Sequence, residues 1–249
     1  MRDRHGRLDG EHVVVVGGSG GIGLAVGLAA ARAGAAVSLV SRSAERLEAA
    51  AAAIRAEEPE AEVRTAIGDI GDEASIGAAL TGLPAPDHVY VAAGRTKIGD
   101  ILGNEPLSDQ YEAIDERLRG SVYVVRVSAP RMKPGGSFVF TGGLSTDRPV
   151  PGAWVSGVGT AAAEQLARVL ALDLAPLRCN AVSPGWTDTP MWDRILGEGK
   201  DEIFRGVAAR TPVGRLMAAD EVAEAVIFLM SNRAVTGEIL HVDGGQRLT

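Results

Sequence analysis

The chain has 249 residues, a formal charge of −7 and a single cysteine, Cys179. The acidic balance leaves no clustered Lys and Arg to displace phosphate counterions, which excludes a nucleic-acid partner, and one cysteine excludes an intrachain disulfide. No uncharged apolar run reaches the roughly 18 residues of a membrane span, and the four valines Val13 to Val16 stop at Gly17 without a cleavage pattern, so the expectation is a cytoplasmic protein with neither signal peptide nor membrane contact.

Short β-branched runs alternate with Ala- and Leu-rich amphipathic stretches. The strands expected are Val13 to Val16, Ala36 to Val40, Glu62 to Ile67, His88 to Ala92, Ser137 to Thr141, Arg178 to Val182 and Glu238 to Val242. Between them the spacing predicts helices over Gly21 to Ala33, Ala44 to Ala56, Glu73 to Leu80, Ser108 to Ala129, Gly157 to Leu174 and Ala219 to Met230. The first closes at Gly34 and the second before Pro59, residues that do not readily continue a helix. This βαβ alternation predicts one α/β domain over 1–249: a doubly wound, seven-stranded parallel sheet with helices on both faces, the three-layer Rossmann arrangement. Trp186 to Arg215 has no clear strand and follows a strand's carboxyl end, so residues 186–215 read as a substrate lid bearing Trp186, Met191 and Trp192. Cys179, inside the apolar stretch Leu177 to Val182, reads as a buried inert thiol.

The strongest chemical signal is VGGSGGIG at Val16 to Gly23, between the first strand and the first helix. Gly17 permits a tight turn, Gly21 lets backbone approach a pyrophosphate and Gly23 allows close helix packing, while the helix start presents unpaired N–H groups to phosphate. Ser19, Gly20 and Ile22 complete this candidate dinucleotide site. At the end of the second strand an acid would favour NAD; Ser41 stands there instead, followed by Arg42, whose guanidinium could hold a 2′-phosphate. NADP is therefore expected in preference to NAD, and no metal site is read.

The gaps of four and two in Gly17, Gly21 and Gly23 resemble the fingerprint of the short-chain dehydrogenase/reductase family. Other segments of the chain are similar in register. Asp69-Ile70 resembles the adenine-contacting acidic site, and Val91-Ala92-Ala93-Gly94 stands where the family usually has Asn-Asn-Ala-Gly. The segment Asn180 to Thr189 resembles the one beside the nicotinamide, which brings Pro184, Gly185, Trp186, Thr187 and Thr189 into the cofactor set; Thr236-Gly237 and Val242 to Gly245 resemble the family's ending. The resemblance also implies a homodimer or homotetramer through the two long helices, with Val122, Val125, Leu166 and Leu170 as apolar positions.

Family members use a Tyr-x-x-x-Lys pair, a Ser thirteen residues before the Tyr, and often an Asn on the preceding long helix. In this register the Tyr and Lys positions hold Ser156 and Thr160, the Ser position Gly143, and the Asn position Arg117. An isolated serine cannot supply a proton as a lysine-assisted phenol does, and loss of general-acid catalysis costs about 10²–10⁴-fold. No catalytic residue follows from the resemblance; Arg117, Asp147 and Arg148 are the charged candidates for the substrate oxygen. Three readings stay open: an NADP(H)-dependent oxidoreductase acting on a small carbonyl, alcohol or enone with a non-standard constellation; a non-redox enzyme; and an inactive nucleotide-binding sensor or scaffold.

Overall fold

The computed structural model describes residues 7–97, 99–104 and 106–249. Seven strands form one parallel sheet in the order β3-β2-β1-β4-β5-β6-β7: β1 His12–Val16, β2 Ala36–Ser41, β3 Val63–Ile67, β4 His88–Val91, β5 Ser137–Thr141, β6 Arg178–Pro184 and β7 Ile239–Val242. The order reverses at β1, which pairs Val13 with Val37 of β2 and with His88 of β4. A crevice therefore opens at the carboxyl ends of β1 and β4, where open α/β sheets bind ligands.

Alternation along the strands sorts the core into two sides. Val13 and Val15 point toward α1 (Gly21–Arg32), α2 (Ala44–Glu57) and α8 (Ala219–Ser231), meeting Val26, Leu47, Ile54 and Ile227. Val14 and Val16 point toward α3 (Glu73–Thr81), α4 (Leu107–Ser128) and α5 (Trp154–Asp173), meeting Ile76, Leu80, Val124 and Ala163. The expected doubly wound three-layer arrangement is the observed one. Side chains cap two helix starts: Ser43 Oγ accepts from Arg46 N at 3.3 Å and Asp72 Oδ1 from Ser75 N at 2.8 Å.

The differences from the sequence reading are local. Helix α5 begins at Trp154, before the expected Gly157, because glycine is tolerated within a helix held by packing on both sides. The 186–215 segment contains two helices, α6 (Met191–Leu196) and α7 (Lys200–Arg210), which a search for strands could not reveal. Of the apolar positions expected on more than one side of the two long helices, Val122 is exposed, Val125 lies in the molecule's own core, and Leu166 and Leu170 pack against that core. Cys179 is sealed in the core and burial pushes its thiol up to about 12, in keeping with an inert thiol. No helix of the described residues is long and apolar enough to cross a membrane.

Candidate functional site

The glycine turn connects β1 to α1 and is shaped by close backbone approach. Gly17 adopts φ +91°, and a Cβ there would stand 2.7 Å from Ala93 N; one on Gly23 would stand 2.2 Å from the Gly17 carbonyl oxygen. Both contacts are with backbone, which cannot move aside, so only glycine fits. Gly21, at φ +54°, faces open space bounded by Thr189, 3.6 Å from where its Cβ would be. Backbone N–H groups at the opening of α1 thus face a cavity with no side chain between, a cradle whose shape and donors fit a diphosphate.

That cavity has a volume of about 880 Å³ and runs from the glycine turn past Ala92, Ala93 and Gly94 to Pro184, Gly185, Thr187 and Thr189. A second cavity of about 510 Å³ adjoins it at the ends of β2 and β3, against Ser41, Arg42, Gly68 and Ile70. Together they make one groove that runs along the carboxyl ends of the strands past the glycine turn. Ser41 Oγ donates to Ser19 Oγ at 2.9 Å, joining the second strand to the glycine turn. The Arg42 guanidinium opens on the smaller cavity, 3.8 Å from Glu116, a buried carboxylate that also takes the Arg95 Nε at 2.9 Å. The Asp69 carboxylate accepts from Gly71 N at 2.9 Å within the turn, and its neighbours Gly68 and Ile70 line the groove.

Five charged lining residues went unread in the sequence: Arg46, Arg95, Lys97, Glu116 and Arg194. Arg46, four residues after Arg42 in the first turn of α2, stands over the turn, its Nη2 2.9 Å from a Cβ position on Gly20. Arg194 reaches the groove from α6, and Glu116 from α4. No helical spacing marks Arg46, because Arg42 lies before the N-cap Ser43 and outside the helix, and nothing local marks the others.

At the other end of the larger cavity, Arg117, Gly143, Ser156 and Thr160 converge as the register implied. Thr160 Oγ1 donates to the Ser156 carbonyl at 2.9 Å and accepts from Thr146 Oγ1 at 3.0 Å, with Ser145 Oγ at 3.1 Å. Its methyl group fills the space beside Gly143, 2.9 Å from a Cβ position there. Gly143 N donates to the buried Glu164 carboxylate at 3.1 Å. Of the three charged candidates only Arg117 lines the cavity. Asp147 is paired with His241 at 2.7 Å, and Arg148 donates to the Gln246 carbonyl at 2.8 Å, both turned toward the C-terminal segment.

Arg117 leaves α4 and crosses the cavity floor. Its Nη1 donates to the Thr141 carbonyl at 2.9 Å, its Nε and Cζ lie 3.2 and 3.3 Å from a Cβ position on Gly94, and its Cδ lies 3.2 Å from one on Gly159. Side chains at Gly94 or Gly159 would close this path. Among the described residues Arg117 has no carboxylate ion pair, and no nitrogen of it is sealed away without a partner, whereas Arg178 Nε is. Its remaining donors therefore open on the cavity. Burial pulls the guanidinium below its usual range, with Tyr90 and Glu116 opposing; guanidinium nevertheless stays charged. Beside it Tyr90 accepts from Thr141 Oγ1 at 2.9 Å, and burial pushes its phenol up to about 12.

The 186–215 segment covers the cavity with an aromatic cluster. Trp186 and Trp192 stack with centroids 4.3 Å apart, Phe204 of α7 meets both edge-on, and Trp192 Nε1 donates to the Thr187 carbonyl at 2.9 Å. Gln246 holds both ends of the segment, accepting from Trp186 N at 2.8 Å and donating to Thr211 Oγ1 at 2.9 Å. The described residues contain no cluster able to hold a metal ion.

The sheet order, the glycine cradle and the convergence on α5 decide the comparison with known proteins. A family model described as enoyl-(acyl carrier protein) reductase matches residues 16–247. The chain belongs to the short-chain dehydrogenase/reductase family. It is 36% identical to galactitol 2-dehydrogenase of Rhizobium johnstonii, over 96% of both chains. A solved short chain dehydrogenase/reductase family protein superposes with TM-score 0.86 and 33% identity, covering 98% of this chain and all of that one. An NADPH-bound short chain oxidoreductase from Pseudomonas aeruginosa, described as containing an atypical catalytic center, superposes with TM-score 0.85 and 27% identity, covering 94% of this chain and 96% of that one. The family is one of oxidoreductases, and this chain shares its fold from end to end.

Proposed function

We propose that the chain is an NADP(H)-dependent oxidoreductase whose usual Ser-Tyr-Lys constellation is replaced by one centred on Arg117. The observation that carries this reading is the path of the Arg117 side chain over Gly94 and Gly159 into the larger cavity. The position that holds the family's lysine on α5 is occupied by the short Thr160, and a cation arrives from α4 instead. The bound nicotinamide would supply a hydride equivalent. The glycine turn and its N–H groups would hold the diphosphate, and Ser41 with Arg42 the 2′-phosphate; the NADPH complex of the Pseudomonas relative supports that cofactor.

Arg117 can stabilise an oxyanion without moving a proton, because a fixed charged donor already aimed at the developing negative charge stabilises it without reorganising. Among the described residues the cavity wall has no His, Asp, Glu or Lys; its hydroxyls are weak acids and the Tyr90 phenol lies at about 12. Solvent water is then the proton source. This favours conjugated carbonyls, whose hydride adduct is an enolate that persists until protonated, over isolated ketones, whose alkoxide needs a proton as it forms.

The test is consumption of NADPH with a panel of enones, quinones and ketones. Turnover on a conjugated substrate, reduced about 10²–10³-fold in Arg117→Ala with NADPH affinity kept, supports the assignment. NADPH binding without turnover on any class would favour the sensor reading, which the poverty of proton donors also supports. The exposed apolar residues Tyr111, Leu118 and Val122 of α4 and Val158 and Val169 of α5 support a homodimer or homotetramer; a monomer by light scattering at micromolar concentration would remove that part. The covering segment would act as the substrate lid.

A further inference from the structure

The two cavities share lining at the glycine turn, and two arginines line both of them: Arg46 of α2 and Arg194 of α6. Neither side chain has an ion pair or hydrogen bond among the described residues. Of the other basic groups lining the smaller cavity, Arg42 lies 3.8 Å from Glu116 and Arg95 is paired with Glu116 and with Glu112 at 2.7 Å, while Lys97 lines that cavity only. Arg46 stands directly over Gly20. Arg194 belongs to the covering segment, two residues after Trp192, whose ring stacks on Trp186. Two cations without a carboxylate partner, lining one groove beside a row of N–H donors, make that groove a place for an anion.

We propose that Arg194 is a phosphate latch: it pairs with a phosphate of the bound dinucleotide, together with Arg46, and so fixes α6 and the Trp186–Trp192 stack over the substrate end of the cavity. The inference rests on the cofactor part of the proposed function and concerns which residue couples that cofactor to the cover. The phosphate is either the diphosphate or the 2′-phosphate; the chemistry is the same, and the two are separable by experiment.

The test uses binding alone, so loss of turnover and loss of the latch remain distinguishable. ADP-ribose and 2′-phospho-ADP-ribose carry the phosphates without the absorbing nicotinamide. Tryptophan emission would be followed in a Trp154→Phe background, which leaves only Trp186 and Trp192 and removes a buried indole N–H that has no partner. The expected result is an emission change on binding that is lost or strongly reduced in Arg194→Gln, with affinity falling about tenfold, the scale of one charged hydrogen bond. A loss confined to 2′-phospho-ADP-ribose assigns the 2′-phosphate; an equal loss for both ligands assigns the diphosphate. Arg194→Lys should retain most of the affinity. Affinities in Arg194→Gln equal to the parent's for both ligands, or an emission change that survives undiminished at saturation, would overturn the latch. Arg194 is exposed, so misfolding does not confuse the result.

Discussion

The two ends of the groove are built from different materials. At the glycine turn the wall is backbone: what matters is the missing Cβ at Gly17 and Gly23 and the N–H groups that open α1. At the α4–α5 end the wall is side chain, and Arg117, Ser156, Thr160 and Gly143 occupy it. A backbone site keeps its function as long as its glycines remain, whereas a side-chain site changes its chemistry with each substitution. One chain can therefore keep a glycine turn fixed by its backbone while the side chains at the α4–α5 end of the same groove differ.

The sharpest way to break the comparison is at the backbone end. Gly23→Ala places a methyl group 2.2 Å from the Gly17 carbonyl oxygen, so the turn must open. The expected outcome is a loss of at least about 2 kcal/mol in stability by denaturant titration, together with loss of detectable NADPH binding by calorimetry. Parent-like binding in this variant would mean the cradle is not the cofactor site.

At the side-chain end the expected effect is large only when several residues change together. Gly143→Ser alone sets its Cβ 2.9 Å from the Thr160 methyl group, and a lysine at 160 would bring a second cation toward Arg117. Combining Gly143→Ser, Ser156→Tyr and Thr160→Lys with Arg117→Asn should create reduction of simple ketones, measured by NADPH consumption, at least about tenfold above the same triple change with Arg117 retained. Equal rates with and without Arg117 would show that it does not occupy the lysine's space.

Smaller again is the cofactor preference. Arg42→Ala should narrow the gap between NADPH and NADH affinities by about tenfold in a fluorescence titration, since one guanidinium–phosphate contact is worth about 1.5–3 kcal/mol before its competition with Glu116. Equal affinity of the parent for both cofactors would remove the basis for this expectation.

The smallest effect is expected away from both ends. Glu221 at the start of α8 is held down to about 2, first by Arg215 and then by the Ala218 N–H it accepts at 2.8 Å. Its lowered value means the stabilisation is present above the unfolded value of 4.5 and is lost as pH falls toward 2. Because the pair is exposed, Glu221→Gln should cost under about 1 kcal/mol at neutral pH by thermal denaturation, and should leave cofactor affinity and turnover unchanged. A change in either would mean α8 communicates with the groove.

Strand and helix positions were legible because they depend on periodicity over neighbouring residues, and the glycine turn because its spacing between β1 and α1 restricts the backbone by itself. The substitutions at 117, 143, 156 and 160 were equally legible, being matters of residue identity in register. What the sequence could not decide was where long charged side chains go. Asp147 and Arg148 stood as near to the reacting end in the chain as any candidate, yet pairing with His241 and the Gln246 carbonyl turns them away, contacts that join residues 94 and 98 apart. Arg117 enters the cavity because Gly94 and Gly159, from two other elements, leave room for it. Arg46 and Arg194 line the same two cavities only after the fold brings α2 and α6 to one groove. A local pattern determines an element through the nearest few residues, but the end of a flexible side chain is positioned by whatever space and partners the whole fold brings to it.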